Sequence, residues 1–420
     1  MASTTRLLNR AGLGLAGAVG LYAVLLGVLL RPSMQRFALY AHKFNTLFLQ
    51  DVHDGEVFGF SKNQVTPFNL RTPDGETLYA WHVLPLDQYA LHEKAVRHEH
   101  RPQKGPVEDF TSTTAFQLLK SRDAKVVISF HGNAGHVAQN WRPITNRFMA
   151  TRPNTHVLTI DYRGFGHSTG SPSEAGLITD GITLLKWVLD VAKTPPDRIV
   201  ILGQSLGTAV SSAVALHFAH AGHELLPRDT REASFTGRQS DRIQPTVFAG
   251  VVLAAPFHSV PTLLLTYRIG GLLPLLLPLR PVPWLADLLT SHLLDKWETA
   301  ERLTAYYAAL AGSQSLSHGP RQLGSLQIVH ALDDADIPYH QTEMICRRIL
   351  DKRRRDSDRD ATEIDAKSCI GEGGAGVLDV KRHGRPRLRF ELVKYGGHNR
   401  IITYSPVALA VSRALDNLFD

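Results

Sequence analysis

From Lys125 onward the chain alternates short apolar runs with longer stretches of helical periodicity. The apolar runs are Val126 to Phe130, His156 to Ile160, Ile199 to Leu202, Val251 to Ala254, Leu326 to His330 and Leu388 to Val393. Runs this short, dense in Val, Ile and Leu, suit strands covered on both faces, as in a parallel sheet. Helical patterns fall between them, among others at Thr179 to Ala192 and Ala209 to Ala219. Sustained alternation of strand and helix predicts a doubly wound α/β sheet. Upstream, Thr66 to Arg71 and Thr77 to Val83 flank the turn Pro73-Asp74-Gly75 and predict a β-hairpin.

The pattern is interrupted in four places. The segment from about Asp87 to Asp123 is polar, rich in His and Lys and without periodicity, and reads as a loop or insertion. His220 to Pro245 and Asp351 to Arg387 are polar with Gly- and Arg-rich pieces, and read as exposed or disordered inserts. His258 to about Ser315 differs, with Leu263-Leu264-Leu265, Leu272-Leu273-Pro274-Leu275-Leu276-Leu277-Pro278 and Trp284-Leu285 broken by Pro and Gly. Arg268, Arg280 and the prolines divide this run too often for a second membrane span, so a helical cap over the end of the sheet is expected.

At the N-terminus, Ala11 to Leu30 are twenty residues without a charge, with Arg6 and Arg10 before them and Arg31 and Arg36 after. Twenty helical residues at about 1.5 Å each reach about 30 Å, the thickness of a bilayer core. A cleaved signal peptide has a shorter apolar run ending in small residues, which Arg31-Pro32-Ser33-Met34 does not offer. An uncleaved anchor over residues 1–35 is therefore expected, its orientation left open by positive charge on both sides. Residues near 35–60 read as an amphipathic, aromatic-containing connector, and residues 36–420 as one large α/β domain.

Composition changes this picture little. Of 420 residues, 43% are hydrophobic and 20% charged, which supports a large core. The net charge of +7, from 46 Lys and Arg against 39 Asp and Glu, is scattered or confined to Lys352 to Arg355. No stripe of basic and aromatic residues points to nucleic acid. A basic surface facing anionic lipid headgroups and a solvated charge run remain the two readings. Cys346 and Cys369 match no zinc spacing, and whether they pair is not readable.

The candidate chemistry centres on Gly203-Gln204-Ser205-Leu206-Gly207, which follows a strand and leads into a helix. That is the setting of a nucleophile elbow, where flanking glycines allow a sharp turn and Ser205 stands clear of strand and helix. Gly166-His167-Ser168-Thr169-Gly170 matches the same pattern but lies within a loop, so Ser168 reads as structural. A serine hydroxyl needs a base to become a nucleophile. On this fold the partners follow in the order acid, then His. After the Leu326 strand come Asp333, Asp334 and Asp336; Asp334 is the expected acid because it lies three residues before Ile337-Pro338, with Asp333 in reserve and Asp336 third. After the last strand, Gly396-Gly397-His398 places His398 as the expected base on a glycine-flanked loop. The oxyanion donors are expected to be the N–H groups of Leu206 and of Asn133, the latter in His131-Gly132-Asn133-Ala134-Gly135.

Together with Asp161-Tyr162-Arg163-Gly164-Phe165-Gly166 and Pro172-Ser173-Glu174, these motifs resemble the abhydrolase-domain-containing serine hydrolases, in particular their protein 12 group of membrane-bound lipases in a fungal version. The resemblance spans about residues 60–415 without the inserts. It implies an α/β-hydrolase fold, with Ser205, Asp334 and His398 as nucleophile, acid and base and no metal or organic cofactor. It further implies monoacylglycerol or lysophospholipid substrates, notably lysophosphatidylserine, and an endoplasmic reticulum membrane with the catalytic domain often lumenal. Gln204 stands where many relatives carry His, and no Asn-x-Ser/Thr sequon is seen. The expected function is hydrolysis of lipid esters by an anchored serine hydrolase. An acyl-protein thioesterase is the nearer rival, and a non-catalytic membrane scaffold is the rival of another class.

Overall fold

The apolar runs pair into a single large sheet in the structure, a computed structural model that describes residues 2–102, 104–232, 245–269, 273–274, 276–279, 281–312, 324–355, 369, 374–381 and 386–416. Strands β1 (Val65–Arg71) and β2 (Thr77–Val83) form the hairpin, followed by β3 (Lys125–Phe130), β4 (Thr155–Ile160), β5 (Ile199–Gln204) and β6 (Gly250–Ala254). A small ribbon of β7 (Arg268–Ile269) and β8 (Leu273–Pro274) stands apart, and β9 (Ser325–Ala331), β10 (Gly376–Val380) and β11 (Arg387–Val393) complete the set. The nine-stranded sheet runs β1-β2-β4-β3-β5-β6-β9-β11-β10. Pairing is parallel from β4 through β11, and antiparallel at β1 with β2, β2 with β4 and β10 with β11.

Successive side chains of a strand point to opposite faces, and both faces here are buried. Val126, Ile128 and Phe130 of β3, with Ile199 and Ile201 of β5, enter one core, beneath helices Glu174–Asp190, Leu206–Ala219, Thr299–Gly312 and His340–Arg355. Val127, Val200 and Leu202 enter the other, with Met149, Val407 and Val411 from helices Arg142–Met149 and Ser405–Leu415. This is the doubly wound α/β-hydrolase architecture, and it places the ends of β3, β5, β9 and β11 along one edge.

Three sequence expectations need correction. The segment 87–123 is largely helical, at Leu86–Leu91, Glu93–His98 and Thr114–Leu119. Each piece has six residues, too few to display a period, yet Tyr89, Val96, Phe116 and Leu119 are buried and order them by tertiary packing. Helix Thr299–Gly312 is a core element and not part of a cap, because Ala300, Leu303, Tyr306 and Leu310 are buried against the helix Leu206–Ala219 layer. What remains of the expected cap is shorter: helices Val260–Leu264 and Pro283–Ser291 with the β7–β8 ribbon. Ala286 of the second helix packs with Leu26 of the N-terminal helix. Finally, β10 lies inside the expected polar insert 351–387 and holds the sheet edge through β11. The rest of that insert lies mostly outside the described residues, as do 233–244 of the insert 220–245. Cys369 is described, and it forms a disulfide with Cys346.

Helix Ala2–Leu29 carries Gly12–Leu29, an 18-residue stretch long and apolar enough to cross a membrane. Leu13, Leu15, Leu21 and Val24 on it are exposed. Its C-terminal end does pack: Leu26 meets Leu276, Leu279 and Ala286.

A buried ion-pair network ties hairpin, loop and helix together. Arg163 Nε and Nη2 bond Asp180 Oδ1 at 2.9 and 2.8 Å, and its Nη1 bonds Asp74 Oδ2 at 2.6 Å. Asp180 is fully buried, and burial pushes its carboxyl up to about 6 against the lowering pull of Arg163. Replacing Arg163→Met strands that carboxylate, at an expected cost of about 3–5 kcal/mol. A carboxyl whose native pKa is raised binds protons more readily when folded, so stability is lost as pH rises through the native value. The deficit measured by urea denaturation is therefore expected to be larger at pH 8 than at pH 5; an equal deficit at both would exclude the stranded charge as its cause.

Candidate active site

Ser205 stands at the end of β5 with φ 52° and ψ −121°, a conformation that L-residues rarely adopt. Packing imposes it. A Cβ on Gly207 would lie 2.0 Å from the Phe130 carbonyl oxygen, and one on Gly203 would lie 2.5 Å from the Gly207 carbonyl oxygen and from Ser211 Oγ. With no side chain at either position, helix Leu206–Ala219 docks directly on the end of β3. The reversal in between is secured by the Ser205 N–H donating to the Ala254 carbonyl at 3.1 Å and the Thr208 N–H donating to the Ser205 carbonyl at 2.8 Å.

The loop after β11 reaches the same point. Gly396 and Gly397 take φ of 147° and 54°, turning the chain so that His398 faces the elbow. His398 Nε2 lies 3.0 Å from Ser205 Oγ, and its Nδ1 lies 2.8 Å from Asp334 Oδ2. Asp334 is buried, which alone would raise its carboxyl. Hydrogen bonds from His330 and His398 outweigh burial and hold it well below the usual carboxylate range. Its Oδ1 also accepts the N–H groups of Asp336 and Ile337 at 3.0 and 2.8 Å. An ionised Asp334 only accepts, so Nδ1 of His398 carries the proton and Nε2 presents its lone pair to the Ser205 hydroxyl.

The structure brings Ser205, His398 and Asp334 together and gives Asp333 a different partner. Asp333 Oδ1 accepts the Gly397 N–H at 2.7 Å and so holds the His398 loop from the other side. Ser168 is spent on structure: its hydroxyl donates to the Asp161 carbonyl at 2.6 Å and accepts the Tyr79 N–H at 2.9 Å. The loop 131–135 lies beside Ser205, with the Gly132 Cβ position 3.3 Å from Ser205 Cβ. The N–H groups of Asn133 and Leu206 find no protein acceptor among the described residues. A cavity of about 210 Å³ opens here, lined by Gly132, Asn133, Gln139, Trp141, Gln204 and Asn399 beside Ser205 and His398. Among the described residues no group of three or more His, Cys, Asp or Glu side chains is placed to hold a metal ion.

Sequence reasoning missed the supports of this site. His330 is fully buried; both acceptors at its Nε2, Asp334 Oδ2 at 3.2 Å and the Ile337 carbonyl at 3.0 Å, require a proton there, while Nδ1 meets the Thr342 hydroxyl at 2.7 Å. Gln204 Nε2 donates to the carbonyls of His398 and Asn399 at 3.1 and 3.2 Å. One signal was available for His330, an imidazole within a strand that is buried along its whole length.

Residues 126–410 match the alpha/beta hydrolase family. The chain belongs to that family. Among the curated relatives of this hydrolase, protein bem46 of Schizosaccharomyces pombe is 37% identical over 109 residues, 25% of this chain and 36% of that protein. Protein ABHD12B of Homo sapiens is 30% identical over 178 residues, 42% of this chain and 43% of that protein. Lysophosphatidylserine lipase ABHD12 of Danio rerio is 28% identical over 160 residues, 38% of this chain and 37% of that protein. The hydrolase thus aligns with less than half the length of each of these relatives. Of solved structures, an alpha-beta hydrolase from Vibrio vulnificus superposes with TM-score 0.46 at 12% identity, covering 83% of this chain and 81% of that one. An esterase of Pyrococcus furiosus gives TM-score 0.46 at 14% identity, covering 89% and 97%.

The seating of the helix on β3 is testable by Gly207→Ala. With the new methyl 2.0 Å from a backbone oxygen, the hydrolase is expected to lose at least about 3 kcal/mol of stability or to fail to fold. An unchanged urea midpoint would mean that the helix is not seated there.

Proposed function

We propose that this hydrolase is a membrane-anchored serine hydrolase that cleaves carboxylic esters of lipids, namely monoacylglycerols or lysophospholipids. The observation that carries the reading is the continuous relay from Ser205 Oγ through His398 to Asp334, at 3.0 and 2.8 Å, beside two unpaired N–H groups. In this reading His398 Nε2 takes the Ser205 proton as Oγ attacks the ester carbonyl. The oxyanion is held by the N–H groups of Asn133 and Leu206. His398 then protonates the leaving alcohol, and later takes a proton from the water that releases the acyl chain, while Asp334 keeps the imidazole oriented.

The lipid assignment rests on three supports. One relative is named a lysophosphatidylserine lipase. The N-terminal helix has the length and exposed apolar surface of an anchor. An apolar groove lies where that helix ends, between Leu26, Leu29 and Leu30 on one side and Leu264, Leu276 and Leu289 on the other. At about 50 Å³ it has room for a few methylenes of an acyl chain, each worth about 0.8 kcal/mol when buried. The disulfide between Cys346 and Cys369 favours an oxidising compartment, and hence a catalytic domain on the lumenal side of the endoplasmic reticulum.

Ser205→Ala is expected to abolish both labelling by a fluorophosphonate probe and hydrolysis across a lipid panel. Asp334→Asn is expected to lower kcat by about four orders of magnitude by fixing the wrong tautomer, and Asp333→Asn by much less, since it does not touch the imidazole. Labelling that persists in Ser205→Ala places the nucleophile elsewhere. Faster turnover of an S-acylated peptide than of a monoacylglycerol makes the enzyme a thioesterase, and a wild type inert to probe and esters alike leaves a scaffold.

Topology has its own test. In sealed vesicles the domain is expected to resist added protease until detergent opens the membrane, and cleavage in intact vesicles would place it on the outer face.

A further inference from the structure

Taking Ser205 as the nucleophile, as proposed above, we infer that the segment leading out of the anchor helix acts with Arg142 as a clamp on the oxyanion loop. Arg142 and Tyr40 are then positioning residues for hydrolysis.

Three successive peptide units of the loop are fixed from both sides. In a trans peptide the carbonyl of one residue and the N–H of the next point in opposite directions. Arg142 Nη2 donates to the carbonyls of Gly132, Asn133 and Ala134 at 3.2, 3.0 and 2.9 Å, and Nη1 donates to that of His136 at 2.7 Å. The three following N–H groups, those of Asn133, Ala134 and Gly135, are therefore turned away from the guanidinium. Two of them are taken by the connector: the Ala134 N–H donates to the Tyr40 carbonyl and the Gly135 N–H to the Phe44 carbonyl, both at 2.8 Å. The third, on Asn133, is left beside Ser205. Of these three N–H groups, the one left without a protein acceptor among the described residues is the donor the chemistry needs.

The loop would not hold this shape by itself. Ala134 and Gly135 take φ of 57° and 72°, two consecutive left-handed residues that converge the carbonyls on one side. Ala pays a strain there that Gly does not. The connector is itself fixed. The Tyr40 hydroxyl donates to Asp295 Oδ2 at 2.7 Å and accepts from the Trp297 indole at 3.3 Å. Ala41, at φ 49°, turns the chain across the loop, and Thr46 Oγ1 meets His136 Nε2 at 3.1 Å. Burial lowers the Arg142 guanidinium to about 10, which leaves it charged at neutral pH.

The test uses the full-length protein in detergent micelles, with a short-chain nitrophenyl ester and a trifluoromethyl ketone. The ketone adds to Ser205 and places its oxyanion where that of the ester would form. Arg142→Gln is expected to lower kcat by about 10²–10³-fold, with KM nearly unchanged. Affinity for the ketone falls in step with kcat/KM, and the pH profile keeps its shape because His398 and Asp334 are untouched. Arg142→Lys regains part of the loss, since an ammonium reaches fewer carbonyls. Tyr40→Phe, which removes one hydroxyl, is expected to lower kcat by about tenfold in the same manner, and it carries the test if Arg142→Gln does not fold. A folded Arg142→Gln or Tyr40→Phe with wild-type kcat, or one that loses kcat without losing ketone affinity, overturns the clamp. A wild type with no Ser205-dependent turnover overturns the reading of the site, and the clamp with it.

Discussion

The first turn of helix Leu206–Ala219 rests on the end of β3 with no room for a side chain between them, and the rest of the site depends on that contact. Because Gly207 lies against the Phe130 carbonyl, the chain must reverse within one residue after β5. Ser205 therefore takes a conformation that its neighbours, not its own preference, impose. The same contact leaves the Leu206 N–H at the head of a helix with nothing before it to accept. It also brings the loop that follows β3 alongside Ser205. The candidate nucleophile and both candidate donors are thus consequences of one packing event between two adjacent parallel strands.

The sheet that makes this possible is apolar on both faces, so each buried charge has to be stabilised locally. Asp161 and Asp334 show how finely that decides chemistry. Both lie just beyond strands, and both accept two backbone N–H groups. Burial drives Asp161 up to about 7, against those bonds and the nearby Arg142 charge. Asp334 moves the other way because two imidazoles also donate to it. In the proposed relay the acid must stay ionised to orient His398, and the second arrangement is the one that keeps it so. His330 supplies it from within β9, which makes that strand more than a scaffold.

The sheet was legible in the sequence because its strands are short and covered on both sides, so their apolar runs stand out against everything around them. Ser205 and Ser168 carry the same pentapeptide pattern, and only strand context separated them. The structure shows the physical difference: Ser168 has both its hydrogen-bonding roles filled by backbone. What did not show was whatever depends on contacts distant in sequence. The helices within 87–123 are too short to have a period, and helix Thr299–Gly312 follows the Leu- and Pro-rich runs closely enough to read as part of the same insert. Gln204, His330 and Arg142 are unremarkable residues at their own positions. Gln204 is defined by carbonyls that the fold brings to it from His398 and Asn399, whereas His330 and Arg142 serve groups close to them in sequence, within turns that no side-chain pattern marks.

The connector between the apolar N-terminal helix and the domain makes the same point. A flexible tether would be rich in Gly and Ser and would leave the cleft free to tumble. This segment instead is attached at successive points. Leu26 packs on Leu276 and Leu279, Gln35 bonds the His292 carbonyl and the Leu294 N–H, and Tyr40 bonds Asp295. Its next bonds are to Ala134 and Gly135. Attachment at each of these points removes the freedom to reorient, so the cleft is held in a fixed relation to the end of the apolar helix. If that helix spans a bilayer, an ester at the lipid surface meets a site whose distance and orientation are already set. The cost of aligning it is then met in folding and not at each turnover.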